Sequence, residues 1–325
     1  MVKWKRFTGN PDEWDYLVRY FDGSYLQAYG WGEVRQSSGW KPLRVIAMRE
    51  GKKIGLATIL VKQRLGIYFC WIPGGPLGPL DILSKNFRKD LMELVGARIL
   101  YCRMSHLRAS IQNEIECLRD LSWKRPAASL SSGLTMLYCL DSSEDERQKT
   151  ATGNWRHNLK RSSRYNLQIE HWIEPRVEAI SELYREMETL KGLPMQHSEA
   201  ELVMLFKHLG NHITVFRCLN QSAELIAIRA AIIFGNTAYD LLAVAGTKAR
   251  KVYASYATLW ALFNYCQKLG IYKYDLSGVD PKANKGVYDF KQGTGARLVT
   301  CLGEWEWASI PMLSFLVNRL VKRNF

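Results

Sequence analysis

The 325-residue sequence contains no uninterrupted apolar run of about 18 residues, the length a membrane-spanning helix needs. Its opening stretch, MVKWKRFTGNPDEW, has neither the apolar core nor the small-residue cleavage site of an export signal. Both absences predict a soluble, cytoplasmic protein. Metal-ligand and disulfide spacings are missing as well. The seven cysteines, Cys70, Cys102, Cys117, Cys139, Cys218, Cys266 and Cys301, form no CxxC pair, and most sit in apolar runs where a reduced thiol packs as a small hydrophobe. This argues against a structural zinc or a disulfide framework, and for a reducing compartment. Acidic residues are the scarcer charge, 31 against 45 basic, for a net +14. Such an excess suits polyanionic partners: RNA, anionic lipid headgroups or a diphosphate-linked sugar precursor. Apolar residues are plentiful at 47%, with 12% aromatic, enough to fill two cores in a chain of this length.

Chemistry concentrates in residues 271–297. A short strand signal, Ile271 to Leu276, runs into Gly278, then a polar turn from Asp280 to Lys285, then Tyr288-Asp289-Phe290-Lys291 ahead of a Gly-x-Gly loop at Gly293 and Gly295. A segment of this kind ends a strand at a cleft. It would present one carboxylate (Asp275), two aromatics (Tyr288, Phe290), one ammonium (Lys291) and glycines that let backbone N–H groups approach an anion. By spacing alone, a β-hairpin carrying a solvated lysine fits equally well.

The runs YDLSG (274–278), VYDFKQGTGA (287–296) and LGEWEW (302–307) resemble the C-terminal signature of the FemABX family, aminoacyltransferases that lengthen peptidoglycan cross-bridges with aminoacyl-tRNA. The resemblance implies that Lys291, on the family's Phe-Lys-x-Gly-x-Gly element, stabilises developing charge and meets the tRNA terminal phosphate. It further implies that Phe290 and Tyr288 line the cleft, where an aromatic face can stack on the terminal adenine. Asp275 either takes up the amine proton or fixes the turn at Gly278. No cofactor is implied; aminoacyl-tRNA is the co-substrate.

Toward the N-terminus, Leu26, Gln27 and Trp31 reproduce the family's Leu-Gln-x-x-x-Trp motif on a stretch that Ser24 would cap as a helix, and the resemblance implies that Gln27 and Trp31 bind substrate. Arg35 stands where relatives place a basic residue that contacts the acceptor's diphosphate, a role the guanidinium fork suits; an exposed helix arginine is the plainer reading. Three strand-like runs follow, Leu43 to Met48, Ile54 to Val61 and Gly66 to Ile72, then the turn IPGGPLGPLD, a helix over Phe87 to Arg98 and a strand over Ile99 to Met104. The family generally has an arginine in that turn where this chain has Gly74. His106, beside the strand end, has no residue nearby in sequence to orient it as a base.

The polar break LDSSEDE (140–146) suggests a boundary between a first domain, 1–141, and a second, 142–304, with 305–325 returning to the first. Beyond it, Arg156, Lys160, Arg161 and Arg164 fall at i, i+4, i+5 and i+8, a basic stripe suited to RNA if the helix forms, or else a solvated face. Ile173 to Lys191 is an amphipathic helix ending at Gly192, and Ser198 caps another through His208. Relatives carry an arginine in the connection between them; this chain has Gln196 and His197. Strands over His212 to Arg217, Leu225 to Phe234 and Ala238 to Ala245 repeat the order of the first half. One fold unit used twice is the economical inference. It resembles the GNAT acyltransferase unit, so the expected class is α+β, two tandem GNAT-like domains with mixed, mainly antiparallel sheets flanked by helices.

A GNAT enzyme using acyl-CoA needs a glycine-rich pyrophosphate loop after the third of those strands. Here that loop reads TKARKVYASYA, without glycine, which favours a larger donor held by Lys248, Arg250 and Lys251. The C-terminal helix from Ala308 is expected to pack on the first domain, or to lie with its basic amphipathic face on anionic lipid at the inner membrane face. The expected function is amide-bond formation between an amino acid from aminoacyl-tRNA and an amine on a lipid- or UDP-linked muropeptide. An acyl-CoA-dependent N-acyltransferase acting on a cell-surface sugar or peptide, and a non-catalytic RNA-binding module, stand as alternatives.

Overall fold

The computed structural model describes residues 1–195 and 197–324, the side chains of 323 and 324 excepted. Two compact units divide the chain, Met1–Gly133 with Thr300–Phe325, and Leu134–Val299.

The first unit begins with β1 (Lys3–Arg6), α1 (Pro11–Tyr20) and α2 (Tyr29–Gln36). Asn10 accepts from the Glu13 amide and Pro11 fixes the first turn, so α1 starts where the sequence stops being extended. An antiparallel meander follows, β2 (Lys41–Arg49), β3 (Lys52–Arg64) and β4 (Ile67–Pro73). Glu50 and Gly51 both adopt positive φ at the first hairpin, 51° and 77°, the paired left-handed geometry that suits the twist of the flanking strands. Next come α3 (Lys85–Val95), β5 (Ile99–Ala109), paired parallel to β4, and α4 (Gln112–Asp120). A parallel partner requires a crossover, and α3 supplies it.

The second unit repeats this plan. It comprises β6 (Leu134–Cys139), α5 (Glu144–Thr150), α6 (Gly153–Ser162), β7 (Gln168–His171), α7 (Val177–Lys191) and α8 (Glu199–Leu209). The meander β8 (Ile213–Leu219), β9 (Leu225–Phe234) and β10 (Thr237–Ala245) follows, then α9 (Thr247–Lys251), α10 (Ala254–Lys268), β11 (Lys273–Gly278) and α11 (Lys285–Gly293). Here β11 pairs parallel to β10 across the α10 crossover, and β6 adds antiparallel to β11. The chain then continues as β12 (Arg297–Ala308), antiparallel to β5 in the first unit, and α12 (Pro311–Asn324).

The division falls at Gly133/Leu134, ahead of the polar break read as the boundary, because Leu134–Cys139 hydrogen-bonds along β11. Residues 300–304 likewise belong to the first unit. Helix α7 starts at Val177 rather than Ile173, since Pro175 disfavours helical geometry in the residue before it. Strand β5 runs to Ala109, so His106 lies within it. Each unit has its own core. Trp4, Phe87, Trp123 and Trp305 anchor the first, and Trp155, Phe263 and Tyr274 the second.

Candidate active site

The second unit's site grows out of the end of β11. Asp275 is buried there, its Oδ1 accepting from the Thr135 hydroxyl and, at 2.8 Å, from the Ser277 amide. Burial raises its pKa, against the opposing pull of those two hydrogen bonds. The pairing of β11 with β6 is irregular between Asp275 and Gly278, and the carboxylate holds that irregularity. These hydrogen bonds place the Asp275 carboxylate at the turn that leads to Gly278. Beyond Gly278, Asp280 Oδ1 accepts from the amides of Lys282 and Ala283, both at 2.8 Å, and Asn284 caps α11.

Residues 285–293 are therefore helix, which excludes the hairpin with a solvated lysine. The helix turns Lys291 inward: the residue is 7% exposed and its Nζ donates to the Gly278 carbonyl at 3.0 Å. Burial lowers its pKa; Asp240 and Asp275 pull upward while Arg229 pushes further down. Phe290 is half-buried, its ring 5.0 Å from Tyr256 and 6.1 Å from Trp155, and Tyr288 is half-buried beside Gln292. Gly293 does not offer its backbone to an anion. A Cβ there would meet Trp155 at 2.8 Å, and its carbonyl accepts from the Thr152 amide, so the glycine lets α11 close on α6.

Two residues unremarked in the sequence complete this cluster. Arg229 on β9 forks onto Asp240 on β10, Nε to Oδ1 at 2.7 Å and Nη2 to Oδ2 at 2.6 Å. Tyr274 donates to the same carboxylate at 3.2 Å, and the guanidinium lies 5.7 Å from the Phe290 ring centre. The available signal was an arginine inside the otherwise apolar run LIAIRAAIIF, since a charge is kept in such a strand only when paired.

The two basic segments expected to bind tRNA meet at Tyr253, which follows α9. Arg161 donates to the Tyr253 hydroxyl at 3.0 Å, and the Tyr165 ring lies 6.4 Å from that of Tyr253. Lys160, Arg164, Arg250 and Lys251 are exposed. Arg156 turns back onto the end of α5, donating to the Ala151 carbonyl at 2.7 Å, and Lys248 pairs with Glu224 at 2.7 Å.

The first unit holds its own group. Arg35, in the last turn of α2, lies 5.9 Å from the ring centres of both Trp31 and Trp71. Gln27, expected to touch substrate, has no exposed surface; its amide donates to the Pro73 carbonyl at 2.7 Å and accepts from the Thr58 amide at 2.7 Å. Its hydrogen-bonding capacity is spent joining β3 to the end of β4, so it is a clamp and does not reach substrate. His106 is buried, and burial, with Arg108 and Arg125 nearby, lowers its pKa to about 3, leaving a neutral ring. Of the pair at 196 and 197, Gln196 lies outside the described residues, and the His197 carbonyl accepts from Arg185.

Residues 217–323 match the model of the FemAB family. No curated protein matches the sequence. Among solved structures, the chain resembles FemX over 97% of its own length and 100% of that chain, with a TM-score of 0.81 at 15% identity. It also resembles L-PGS from Bacillus licheniformis, at 12% identity over 96% of this chain and 97% of that one, TM-score 0.58. A tandem GNAT protein from the clavulanic acid biosynthesis pathway matches at 11% identity over 96% and 99% of the two chains, TM-score 0.59. Residues 217–323 thus resemble the FemAB family, and nearly the whole chain has a tandem GNAT-like α+β fold.

Proposed function

We propose that the protein is an aminoacyltransferase that joins the amino acid of an aminoacyl-tRNA to an amine on a peptidoglycan precursor peptide or a related cell-envelope acceptor. The observation that carries this reading is Lys291: an ammonium 7% exposed, held by the Gly278 carbonyl at the end of β11 and flanked by Phe290. The acceptor nitrogen attacks the ester carbon, negative charge gathers on the carbonyl oxygen, and the terminal ribose hydroxyl departs with the proton the amine gives up. The ester is already activated, so the protein's share is positioning and charge stabilisation. A buried cation fixed before the reaction serves the second task without reorganising. The surface of Lys160, Arg164, Arg250 and Lys251 suits the phosphates of the tRNA. In the first unit, Arg35 with Trp31 and Trp71 offers a cation on an aromatic support for the acceptor's diphosphate.

An acyl-CoA donor is disfavoured by Glu186. Its Oε1 accepts from the Thr247 amide at 2.7 Å, and a Cβ on Gly246 would meet Oε2 at 2.7 Å, so a carboxylate stands at the loop where CoA-dependent relatives would bind pyrophosphate. Incubating the protein with charged tRNAs and lipid- or UDP-linked muropeptides, and reading the acceptor mass, tests the proposal. A mass increase of one aminoacyl residue is expected. Thermal protection by CoA together with an unchanged acceptor would overturn it.

A further inference from the structure

Helix α12 is fastened to the first unit along one side. Leu313 is 6% exposed, and Asn318 donates to Glu306 at 2.9 Å while its Oδ1 accepts from the Ala128 amide at 2.9 Å. The buried amide clamp makes this side a fixed seat. The opposite side is unlike an ordinary solvated helix face. Met312, Phe315, Leu316 and Leu320 are exposed there, Phe315 to 66% and Leu320 to 60%, and Arg319 and Lys322 are exposed among them. At 100° per residue these six positions span an arc of about 160°. Residues 311–324 contain no aspartate or glutamate. Single exposed apolar side chains are common on protein surfaces, but four on one arc, interleaved with bases alone, form a docking face.

We infer that this arc of α12 seats the protein on an anionic lipid bilayer, with Met312, Phe315, Leu316 and Leu320 entering the headgroup boundary and Arg319 and Lys322 on the lipid phosphates. The charge pattern selects this occupant. A second copy packed arc to arc would desolvate Arg319 and Lys322 against their own counterparts, with no carboxylate on either helix to offset them. An RNA backbone would satisfy the bases but leave four large apolar side chains in water. A bilayer with acidic lipids meets both needs, since the apolar groups are buried and the long basic chains reach the phosphate plane. Docking in this way is independent of which reaction the protein catalyses.

Flotation of the full chain with vesicles of phosphatidylcholine, and of phosphatidylcholine with roughly one-third phosphatidylglycerol, tests the inference. The wild type should float with the acidic vesicles and much less with the neutral ones. The double variant Phe315→Ser/Leu320→Ser should bind at least about tenfold more weakly. Arg319→Gln/Lys322→Gln should lose about fivefold per base and with it the preference for acidic lipid. All four residues are exposed, so both variants should keep the wild-type melting temperature, and transfer to a soluble acceptor should be unchanged. Three results would overturn the inference: a wild type that stays with the unbound fraction, variants that float as the wild type does, or a dimer in sedimentation velocity that Phe315→Ser/Leu320→Ser dissolves.

Discussion

The Lys291 ammonium donates to the Gly278 carbonyl at 3.0 Å, joining the last turn of α11 to the end of β11 across the turn at 280–284. That bond holds one cation in a buried position, and the proposed chemistry depends on it.

Replacing it as Lys291→Met should lower turnover by on the order of a hundredfold or more, the scale for losing one preorganised charge-stabilising donor. Substrate affinity should fall far less, because the interaction strengthens as charge develops. The melting temperature should hold or rise, since burial disfavours the charged amine that methionine replaces. The wild-type rate should also fall on the alkaline side below the ordinary lysine value of 10.5, because the folded pKa is lowered and the protonated amine is the active form. Steady-state kinetics against pH with a charged tRNA checks both, and a near-normal rate in the variant would remove Lys291 from the mechanism.

Arg229 and Asp240 should behave asymmetrically. Arg229→Met leaves the Asp240 carboxylate buried with, among the described residues, the Tyr274 hydroxyl as its remaining donor, and should cost about 3–5 kcal/mol in urea unfolding. Asp240→Asn keeps an acceptor for both donors, yet strands the guanidinium charge. The double variant Arg229→Met/Asp240→Leu should recover much of either loss, because no buried charge is left unpaired. Strictly additive losses would show that the pair is not coupled.

On the basic surface, Lys160→Glu with Arg164→Glu should weaken tRNA binding and reduce the slope of log affinity against log salt by about two, one for each phosphate that is no longer neutralised. Arg156→Glu should act differently. Its guanidinium caps α5, so the variant should lower thermal stability as well as tRNA affinity. Binding titrations over a salt series distinguish them, and an unchanged slope in the first variant would detach this surface from RNA.

Acidification should expose His106. Its folded pKa of about 3 lies below the ordinary 6.5, so between these values the unfolded chain binds the extra proton. Its contribution is complete above about pH 6.5 and is lost as pH falls, on the order of 2 kcal/mol by pH 5. Asp275 works with the opposite sign: its raised pKa contributes stability while it is protonated, and that contribution fades as pH rises through the folded value. His106→Leu should therefore lose less stability than the wild type between pH 7 and pH 5 in denaturant titrations. An equal loss would mean that other groups set the acid limit.

Much of the architecture was legible because it rests on local pattern. Short apolar runs at 43–48 and 225–234, the spaced Ile180, Leu183 and Met187, and turn residues such as Gly51 encode strands, helices and hairpins within a few neighbours. The motif around Phe290 and Lys291 located the candidate site for the same reason. Burial and partner choice are non-local, and there the tertiary structure decided. Gln27 and Arg35 sit eight residues apart, yet Gln27 is consumed by backbone from β3 and β4 while Arg35 rests against Trp31 and Trp71. Lys291 looked equally suited to solvent until α11 turned it onto Gly278. Leu134–Cys139 reads as a strand in either unit, and only its hydrogen bonds to β11 assign it to the second. The sequence by itself determined most of the helices and strands and which residues carry charge; that 285–293 is helix came from the structure. Which charges are withdrawn from water, and against what, was decided by packing, because desolvation depends on neighbours brought together from distant parts of the chain, as Thr135 and Asp275 are from 140 residues apart.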